Sequence, residues 1–202
     1  MILSSLVFIK EDNMSGIPTK LEGAKVYIQK LPVTFEFASQ LFSIVEKNRD
    51  HILPWLDWAL PEMTAKAEDE YNFSLFADED WAAGKRFEFA IFKQGTSELL
   101  GGICLIRYGN KRDKKGEIGY WLKKEATGKG YMQEAVSLIE RFALELGYER
   151  LVIRNDVANL SSKKVAERAG YTFEGVERHG HYDRQNGKFV DINVFSKLRS
   201  EV

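Results

Sequence analysis

The chain has one cysteine, three histidines and no long apolar run. The single Cys104 excludes an internal disulfide and a cysteine-based zinc cluster. The histidines, at positions 51, 179 and 181, lack the paired spacing of a metal site. No segment approaches the roughly 20 apolar residues that a membrane-spanning helix needs. We therefore expect a cytoplasmic protein from a reducing compartment that binds neither a metal nor a membrane.

The chain also lacks an excess of charge of either sign. It has 29 Lys and Arg against 30 Asp and Glu, with a net charge of -1 and a pI of about 6.4. Bulk positive charge therefore cannot recruit a nucleic acid, and we expect no direct nucleic-acid binding. Hydrophobic residues make up 44% and aromatic residues 12%, which is enough to build a core and excludes wholesale disorder.

The length of 202 residues indicates a single domain with a short preceding segment. Residues 1–9 are apolar, but no positive region precedes them and charged residues follow at 10–12. This pattern argues against a signal peptide. We expect residues 1–20 to form a flexible N-terminal extension and residues 21–202 to form one domain.

The spacing of apolar residues predicts the elements in between. In chain order they are a strand near 24–31, helices over 35–47 and 64–84, strands over 87–92, 99–106 and 117–122, a long helix over 128–146, a strand over 151–154, a short helix over 161–169, and strands over 171–177 and 189–198. On the second helix we place Tyr71, Leu75 and Phe76 inside and the acidic residues 68–70 outside. The order predicts an α+β fold (mixed α/β): a central, mostly antiparallel twisted sheet of about six or seven strands with about four helices on its faces.

A glycine-containing turn after the strand over 117–122 is the first feature with chemical meaning. Gly128 and Gly130 flank Lys129, and an amphipathic helix starts directly after them. The free N–H groups and the dipole of a helix N-terminus favour a phosphate or pyrophosphate there. The alternative is a loop whose glycines serve only to turn the chain. The segment is not a Walker loop, and Gln133 stands where a dinucleotide fingerprint has its third glycine.

A second pattern lies in residues 155–175. Asn159 and Ser162 precede a short helix, and Gly170 follows it. Taken singly, Asn159 and Ser162 are typical helix-capping residues, and Gly170 is a typical C-cap. Cys104 lies in an apolar strand, so we expect it to be buried and inert.

Four motifs together resemble the GNAT superfamily of acetyl-CoA-dependent N-acetyltransferases. They are E-I-G-Y-W-L, G-K-G-Y-M-x-E-A, N-x-x-S-x-x-V-A-E-R-A-G-Y-x-x-E-G and D-x-x-V-F-S-K-L. The resemblance covers residues from about 20 to 200, including W-L-D-W at 55–58. Within the superfamily the chain is most similar to the branch that acetylates N-terminal amines of ribosomal proteins. The resemblance implies acetyl-CoA as cosubstrate and no metal.

The resemblance also implies where acetyl-CoA binds. The pantetheine arm would lie in a gap where the strands over 117–122 and 151–155 splay apart, and the pyrophosphate would meet the backbone N–H groups of residues 127–132. The cofactor-binding residues carried over by position are Trp121, Leu122, Lys123, Thr127, Gly128, Lys129, Gly130, Tyr131, Met132 and Asn159.

The loop departs from the family pattern at two positions. Relatives place Arg or Gln at its first position, or Arg just before the first glycine, where this chain has Glu125 and Thr127. A cationic phosphate contact is therefore missing, and a carboxylate stands nearby. The lysines at 123, 124 and 129 are the candidates to compensate.

In the implied reaction a neutral amine attacks the thioester, and CoA leaves as a thiolate. Because an amine titrates at about 8 to 10, it needs a base. We assign Glu117 as that base, acting through water; the alternative is an exposed strand residue paired with Lys114 or Lys115. Ser162 is the predicted proton donor to the thiolate, with Tyr171 as the second candidate.

The acceptor site is predicted from Trp55, Asp57 and Trp58, with Asp57 attracting an ammonium group. The alternative is that the tryptophans pack a helix against the sheet. The lead acceptor is the N-terminal α-amine of a protein, with ribosomal proteins first; a polyamine or an aminoglycoside is the alternative. Glu125 and Thr127 also keep open a non-catalytic acetyl-CoA-binding module. Relatives are often dimers, so a homodimer is a further candidate.

Overall fold

One eight-stranded sheet organises the protein, whose computed structural model describes residues 16–202. The strands are β1 (Lys20–Glu22), β2 (Val26–Lys30), β3 (Arg86–Lys93), β4 (Leu99–Tyr108), β5 (Lys115–Leu122), β6 (Arg150–Asp156), β7 (Thr172–Asp183) and β8 (Lys188–Leu198). The helices are α1 (Phe35–Ile52), α2 (Ala67–Ala82), α3 (Tyr131–Glu145) and α4 (Leu160–Arg168). Across the sheet the strands lie in the order β1-β2-β3-β4-β5-β6-β8-β7.

The predicted fold class is confirmed, with eight strands in place of six or seven. The added strand is β1, whose three residues are too few to show an alternating pattern. Of the predicted N-terminal extension, residues 1–15 lie outside the described residues, and Ile17 is buried in the core. No helix within residues 16–202 is long and apolar enough to span a bilayer.

Helix α1 follows its sequence pattern closely. Thr34 caps it, since its Oγ1 accepts a hydrogen bond from the Phe37 N–H at 3.2 Å. Phe37, Leu41 and Val45 are buried on one face of the helix, and the helix continues to Ile52 instead of ending at 47 as predicted. The apolar stripe therefore fixes the orientation of α1 against the sheet.

The predicted orientation of α2 is wrong. Leu75 and Phe76, predicted inside, are 40% and 67% exposed, whereas Glu70 is only 4% exposed. The buried stripe consists of Glu70, Ser74, Ala77 and Trp81. Because this stripe contains small and polar residues, apolar residues alone indicated the wrong face of the helix.

An aromatic cluster centres the core between the sheet and α3. The Phe142 ring lies 6.1 Å from the Trp81 ring and 5.2 Å from each of Phe87 and Phe89, measured between centroids. Phe142 itself is 1% exposed. Such aromatic pairs contribute about 0.5–1.5 kcal/mol each beyond the burial of their area.

The parallel pair of β5 and β6 is the exception in an otherwise antiparallel sheet. Pairing joins residues 115–117 of β5 to residues 150–152 of β6. Beyond this point β5 continues to Leu122 and β6 to Asp156 as diverging strands. Their edges then present backbone N–H and C=O groups to a gap that opens toward the start of α3 and α4.

Replacing Phe142 with alanine should lower the free energy of unfolding by about 3–5 kcal/mol, because a buried aromatic ring leaves a cavity. Phe76→Ala, on the exposed face of α2, is the matched control and should cost less than about 1 kcal/mol. Urea denaturation of the two variants measures both values. Similar losses at the two positions would contradict the orientation of α2 described above.

Candidate active site

A side-chain hydrogen bond joins β5 to α4. The Tyr120 hydroxyl of β5 lies 2.9 Å from Oγ of Ser162, in the first turn of α4. Burial raises the pKa of Tyr120 to about 12, so its hydroxyl stays protonated at neutral pH. Asn159 caps α4, with its Oδ1 accepting from the Ser162 N–H at 3.0 Å. The structure thus brings the predicted Asn159 and Ser162 together with Tyr120.

The loop before α3 has an open N-terminal geometry. Gly128 and Gly130 have φ angles of +74° and +80°, so α3 begins at Tyr131 and not at 128 as predicted. The first helical hydrogen bond runs from the Glu134 N–H to the Gly130 carbonyl, which leaves the preceding N–H groups outside the helix bonds. Of these groups, the Thr127 N–H donates to the Lys124 carbonyl at 3.2 Å. A Cβ atom on Gly128 would meet no heavy atom within 4 Å. Thr127 is exposed, and its hydroxyl donates to a backbone carbonyl at 2.8 Å.

The three lysines predicted to compensate for the missing arginine, at 123, 124 and 129, have different surroundings. Lys123 Nζ lies 2.9 Å from Glu98 Oε1, and this ion pair holds the pKa of Glu98 below its usual range. Lys124 contributes its backbone N–H to Asn48 Oδ1 at 2.8 Å. Lys129 is exposed between the two glycines. The Lys123 charge is therefore already matched by a carboxylate.

Lys25 supplies a cation at this loop that the sequence did not indicate. The Glu134 carboxylate accepts backbone N–H bonds from Ala24, Lys25 and Val26 at 2.8, 2.7 and 2.8 Å, and so holds the β1–β2 turn against α3. A Cβ atom on Gly130 would lie 3.2 Å from Lys25 Nζ. The hydrogen bond between Lys25 and Glu134 joins residues 109 positions apart in the chain, so no local motif could have revealed it.

The other predicted cofactor residues divide between the two faces of the sheet. The side chains of Leu122, Tyr131 and Met132 pack against the core, so a ligand at these positions would meet their backbone. The Trp121 ring points to the opposite face, where its centroid lies 5.7 Å from that of Trp58.

Glu117 lies between two cavities. It lines a polar cavity of about 210 Å³ and a larger, mostly apolar cavity of about 490 Å³. Its partner is Arg154, whose Nη1 lies 4.0 Å from Glu117 Oε2, and not a lysine at 114 or 115. Burial raises the pKa of Glu117, with Arg154 opposing and Glu177 reinforcing the shift.

The three residues predicted for the acceptor site are split between these cavities. Trp55 and Asp57 line the polar cavity, whereas Trp58 lines the apolar one and packs on Trp121. Asp57 Oδ2 lies 3.3 Å from His181 Nε2 and 3.9 Å from Arg184 Nε. These contacts join the segment after α1 to the β7–β8 hairpin.

The apolar cavity lies between the sheet and helices α1 and α2. Arg86, Ile106 and Glu117 lie side by side on β3, β4 and β5 and form one row of its floor. The helices contribute Phe37, Leu41, Glu70 and Phe73.

Glu70 is a buried carboxyl group in this cavity. Its Oε1 has no hydrogen-bond partner among the described residues. Burial raises the pKa of Glu70 from its ordinary value of 4.5 to about 7, with Asp69 adding repulsion and Arg49 opposing the shift. The Arg49 guanidinium is itself bonded to Thr64, at 2.9 and 2.8 Å.

Two further features bear on the chemistry of the site. Cys104 is 6% exposed, as predicted, and burial raises the pKa of its thiol. In the part of the chain that the structure describes, no group of three His, Cys, Asp or Glu side chains is placed to hold a metal ion.

Comparison with known proteins identifies the family. A profile of the acetyltransferase (GNAT) domain matches residues 32–172. The chain is 30% identical over 187 residues to the Probable N-acetyltransferase YjcK of Bacillus subtilis, covering 90% of this chain and 98% of that relative. It is 29% identical over 164 residues to the ribosomal-protein-serine acetyltransferase of Escherichia coli, covering 78% and 85%. The chain belongs to the GNAT acetyltransferases and is an acetyl-CoA-dependent N-acetyltransferase.

The fold is shared with solved structures of this family. RimL, described as a ribosomal L7/L12 alpha-N-protein acetyltransferase in complex with coenzyme A, superposes with a TM-score of 0.78. The sequences are 24% identical, over 90% of this chain and 97% of that one. The family profile confirms the predicted superfamily, and this superposition confirms the predicted fold.

Glu70→Gln should stabilise the protein at high pH relative to the wild type. The pKa of Glu70 is about 7 in the folded protein, against an ordinary value of 4.5. The contribution of protonated Glu70 to the free energy of unfolding is therefore fully present below pH 4.5, and it is lost as the pH rises through about 7. From pH 4 to pH 8 the difference in free energy of unfolding should move by up to about 3 kcal/mol in favour of the glutamine variant. Urea denaturation across this range measures it, and a pH-independent difference would contradict the burial of an unpaired carboxyl group.

Proposed function

We propose that the protein transfers the acetyl group of acetyl-CoA to the N-terminal α-amine of a protein, with a ribosomal protein as the lead acceptor. The position of Glu117 carries the proposal: it lies at the last residue of β5–β6 pairing and lines both cavities. A base at this point faces the gap on one side and an acceptor space on the other. Two similar proteins, the ribosomal-protein-serine acetyltransferase and RimL, support the acceptor class.

The residues around the gap fit acetyl-CoA, which supplies a thioester and a thiol leaving group. We assign the pantetheine arm to the diverging edges of β5 and β6, including the backbone at Trp121 and Leu122. We assign the pyrophosphate to the backbone N–H groups from Thr127 to Met132, with Lys25 as the cation. We also assign Asn159, the N-cap of α4, to the cofactor site.

Glu117 is assigned as the general base. It would accept a proton from the acceptor ammonium through water, since the neutral amine is the nucleophile. Burial raises the pKa of Glu117 toward the working pH, which improves the match of a carboxylate to this task. Arg154, 4.0 Å away, keeps the ionised form accessible.

Ser162 is assigned as the proton donor to the leaving thiolate. Its Oγ is already hydrogen-bonded to the Tyr120 hydroxyl across the gap, so a proton lost by Ser162 can be replaced from Tyr120. Tyr171, the other candidate, is 5% exposed, and burial together with Glu140 raises its pKa. The geometry therefore favours Ser162 over Tyr171.

A small-molecule amine is the second candidate acceptor. The apolar cavity of about 490 Å³ has the size of a small-ligand pocket and carries carboxyl groups suited to a cation. A homodimer and a cytoplasmic location remain predictions from the sequence.

The test is thiol release from acetyl-CoA with short peptides beginning in Ser or Ala, with polyamines and with aminoglycosides. Intact-mass analysis identifies each acetylated product. Release with the peptides, and acetyl on the α-amine, is the expected result. Release with polyamines or aminoglycosides alone would move the function to small molecules. Binding of acetyl-CoA without turnover on any amine would indicate a non-catalytic module.

Glu117→Gln should lower the turnover rate by about 100-fold at neutral pH, the size typical of a lost general base. The loss should shrink as pH rises, because more of the acceptor amine is already neutral. The affinity for acetyl-CoA should not change. Glu149→Gln, at an exposed carboxylate before β6, is the control. Equal rates for Glu117→Gln and wild type at every pH would remove Glu117 as the base.

Gly128→Val should weaken acetyl-CoA binding by at least about tenfold, or about 1.4 kcal/mol, because a side chain would fill the space over the loop. Gly147→Val is the matched control at the other end of α3, with φ of +82° and the same open surroundings. Isothermal titration calorimetry measures both affinities. Equal affinities in the two variants would place the pyrophosphate elsewhere.

Lys25→Ala should weaken acetyl-CoA binding by about three- to fivefold at low salt, the effect of one exposed charge contact. The difference should fade at about 0.5 M salt, where exposed charges are screened. Lys20→Ala is the control in the same hairpin, since the Lys20 cation pairs with Glu22. An unchanged affinity for Lys25→Ala at low salt would show that Lys25 does not contact the phosphates.

A further inference from the structure

Among the described residues, each charged group that lines the apolar cavity has an ionic or hydrogen-bonding partner, except the carboxyl oxygen Oε1 of Glu70. Arg86 and Glu88 of the cavity floor form an ion pair with each other. Asp69 accepts the backbone N–H groups at the start of α2 at 2.9 and 3.1 Å. Glu117 faces Arg154. Glu70 Oε1 is buried, and no described residue donates a hydrogen bond to it.

No neighbouring side chain in residues 16–202 satisfies this oxygen. Arg49 is the cation whose charge acts on Glu70, but its guanidinium bonds to Thr64, to the Ala59 carbonyl and to Glu46. A buried acceptor left unpaired is costly, and a donor that enters the cavity would remove that cost. A cationic donor would gain most, since its charge would be matched in a place with little water.

The path to Glu70 is apolar. Phe37 and Leu41 of α1, Phe73 of α2 and Trp58 line the same cavity. These aromatic and aliphatic side chains suit the methylene groups of a ligand. A ligand that fits both features has an apolar arm with a cationic end. Glu117 also lines the cavity, so the same ligand can present a second amine to the base.

We propose that Glu70 determines acceptor specificity by binding an ammonium or guanidinium group at the end of an apolar arm of the acceptor, while the amine to be acetylated lies beside Glu117. The proposal rests on the proposed function and names its substrate class: amines that carry a second cation on an apolar stem, as lysine does.

The test compares L-lysinamide with L-norleucinamide, which share the α-amine and the apolar stem and differ in the terminal ammonium. The KM and kcat for α-amine acetylation are measured by mass spectrometry, and Kd is measured by calorimetry on the CoA-loaded enzyme. The wild type should show KM and Kd at least about tenfold lower for lysinamide, the effect of a buried charge pair. The two kcat values should be similar. Glu70→Gln should abolish the preference, and Glu68→Gln, on the exposed side of α2, should retain it.

Equal KM and Kd for the two amides in the wild type would overturn the proposal, even if Glu70→Gln fails to fold. A lysinamide preference that survives in Glu70→Gln would overturn it as well. Failure of the proposed function would give a different result. No amine would then be acetylated, but the calorimetric Kd would still be lower for lysinamide than for norleucinamide. Acetylation of Ser or Ala peptides without any preference between the amides would leave the function standing and reject the role of Glu70.

Discussion

The candidate active site depends on the one parallel strand pair that the sheet contains within residues 16–202. Because β5 and β6 pair only through residues 115–117 and 150–152, both strands leave the ladder while they still continue. The backbone groups at the two edges are then available to a ligand, since a buried N–H or C=O must find a partner. The same divergence sets Glu117 at the mouth of the gap and lets the Tyr120 hydroxyl meet Ser162 on the far side. A fully paired β5–β6 ladder would close this space.

The two faces of the sheet serve different purposes. On one face Phe142 and its aromatic neighbours form a dry core that fixes α3, and with it the loop at Gly128. On the other face, Gly102 leaves space for the Trp121 side chain. A Cβ atom on Gly102 would lie only 2.7 Å from the Trp121 indole nitrogen. The cavity on this face is lined by Gly102 and by Glu70, whose Oε1 has no hydrogen-bond donor among residues 16–202. The larger cluster of buried apolar residues thus lies on the α3 face, whereas a smaller cluster and the apolar cavity lie on the α1–α2 face.

The sequence predicted what local patterns determine. The spacing of apolar residues and the glycines at 128 and 130 placed the elements and the loop close to where they lie. Prediction from the sequence failed where a feature depends on residues that are far apart in the chain. Lys25 reaches the loop only because Glu134 binds its turn, and Glu70 is buried because α2 packs through small side chains. Asn159 was open to a capping and a ligand-binding interpretation; it does cap α4, and its ligand-binding role stays a prediction.

The central claim is that the divergence of β5 and β6 holds the acetyl donor with its thioester beside Glu117. A crystal structure of the complex with acetyl-CoA tests it most directly. The account predicts the pantetheine arm between the two strands, the pyrophosphate at the N–H groups of residues 127–132, and the thioester sulfur nearer to Ser162 than to Tyr171. Acetyl-CoA bound outside the gap, or with its phosphates away from Gly128 and Gly130, would contradict the account.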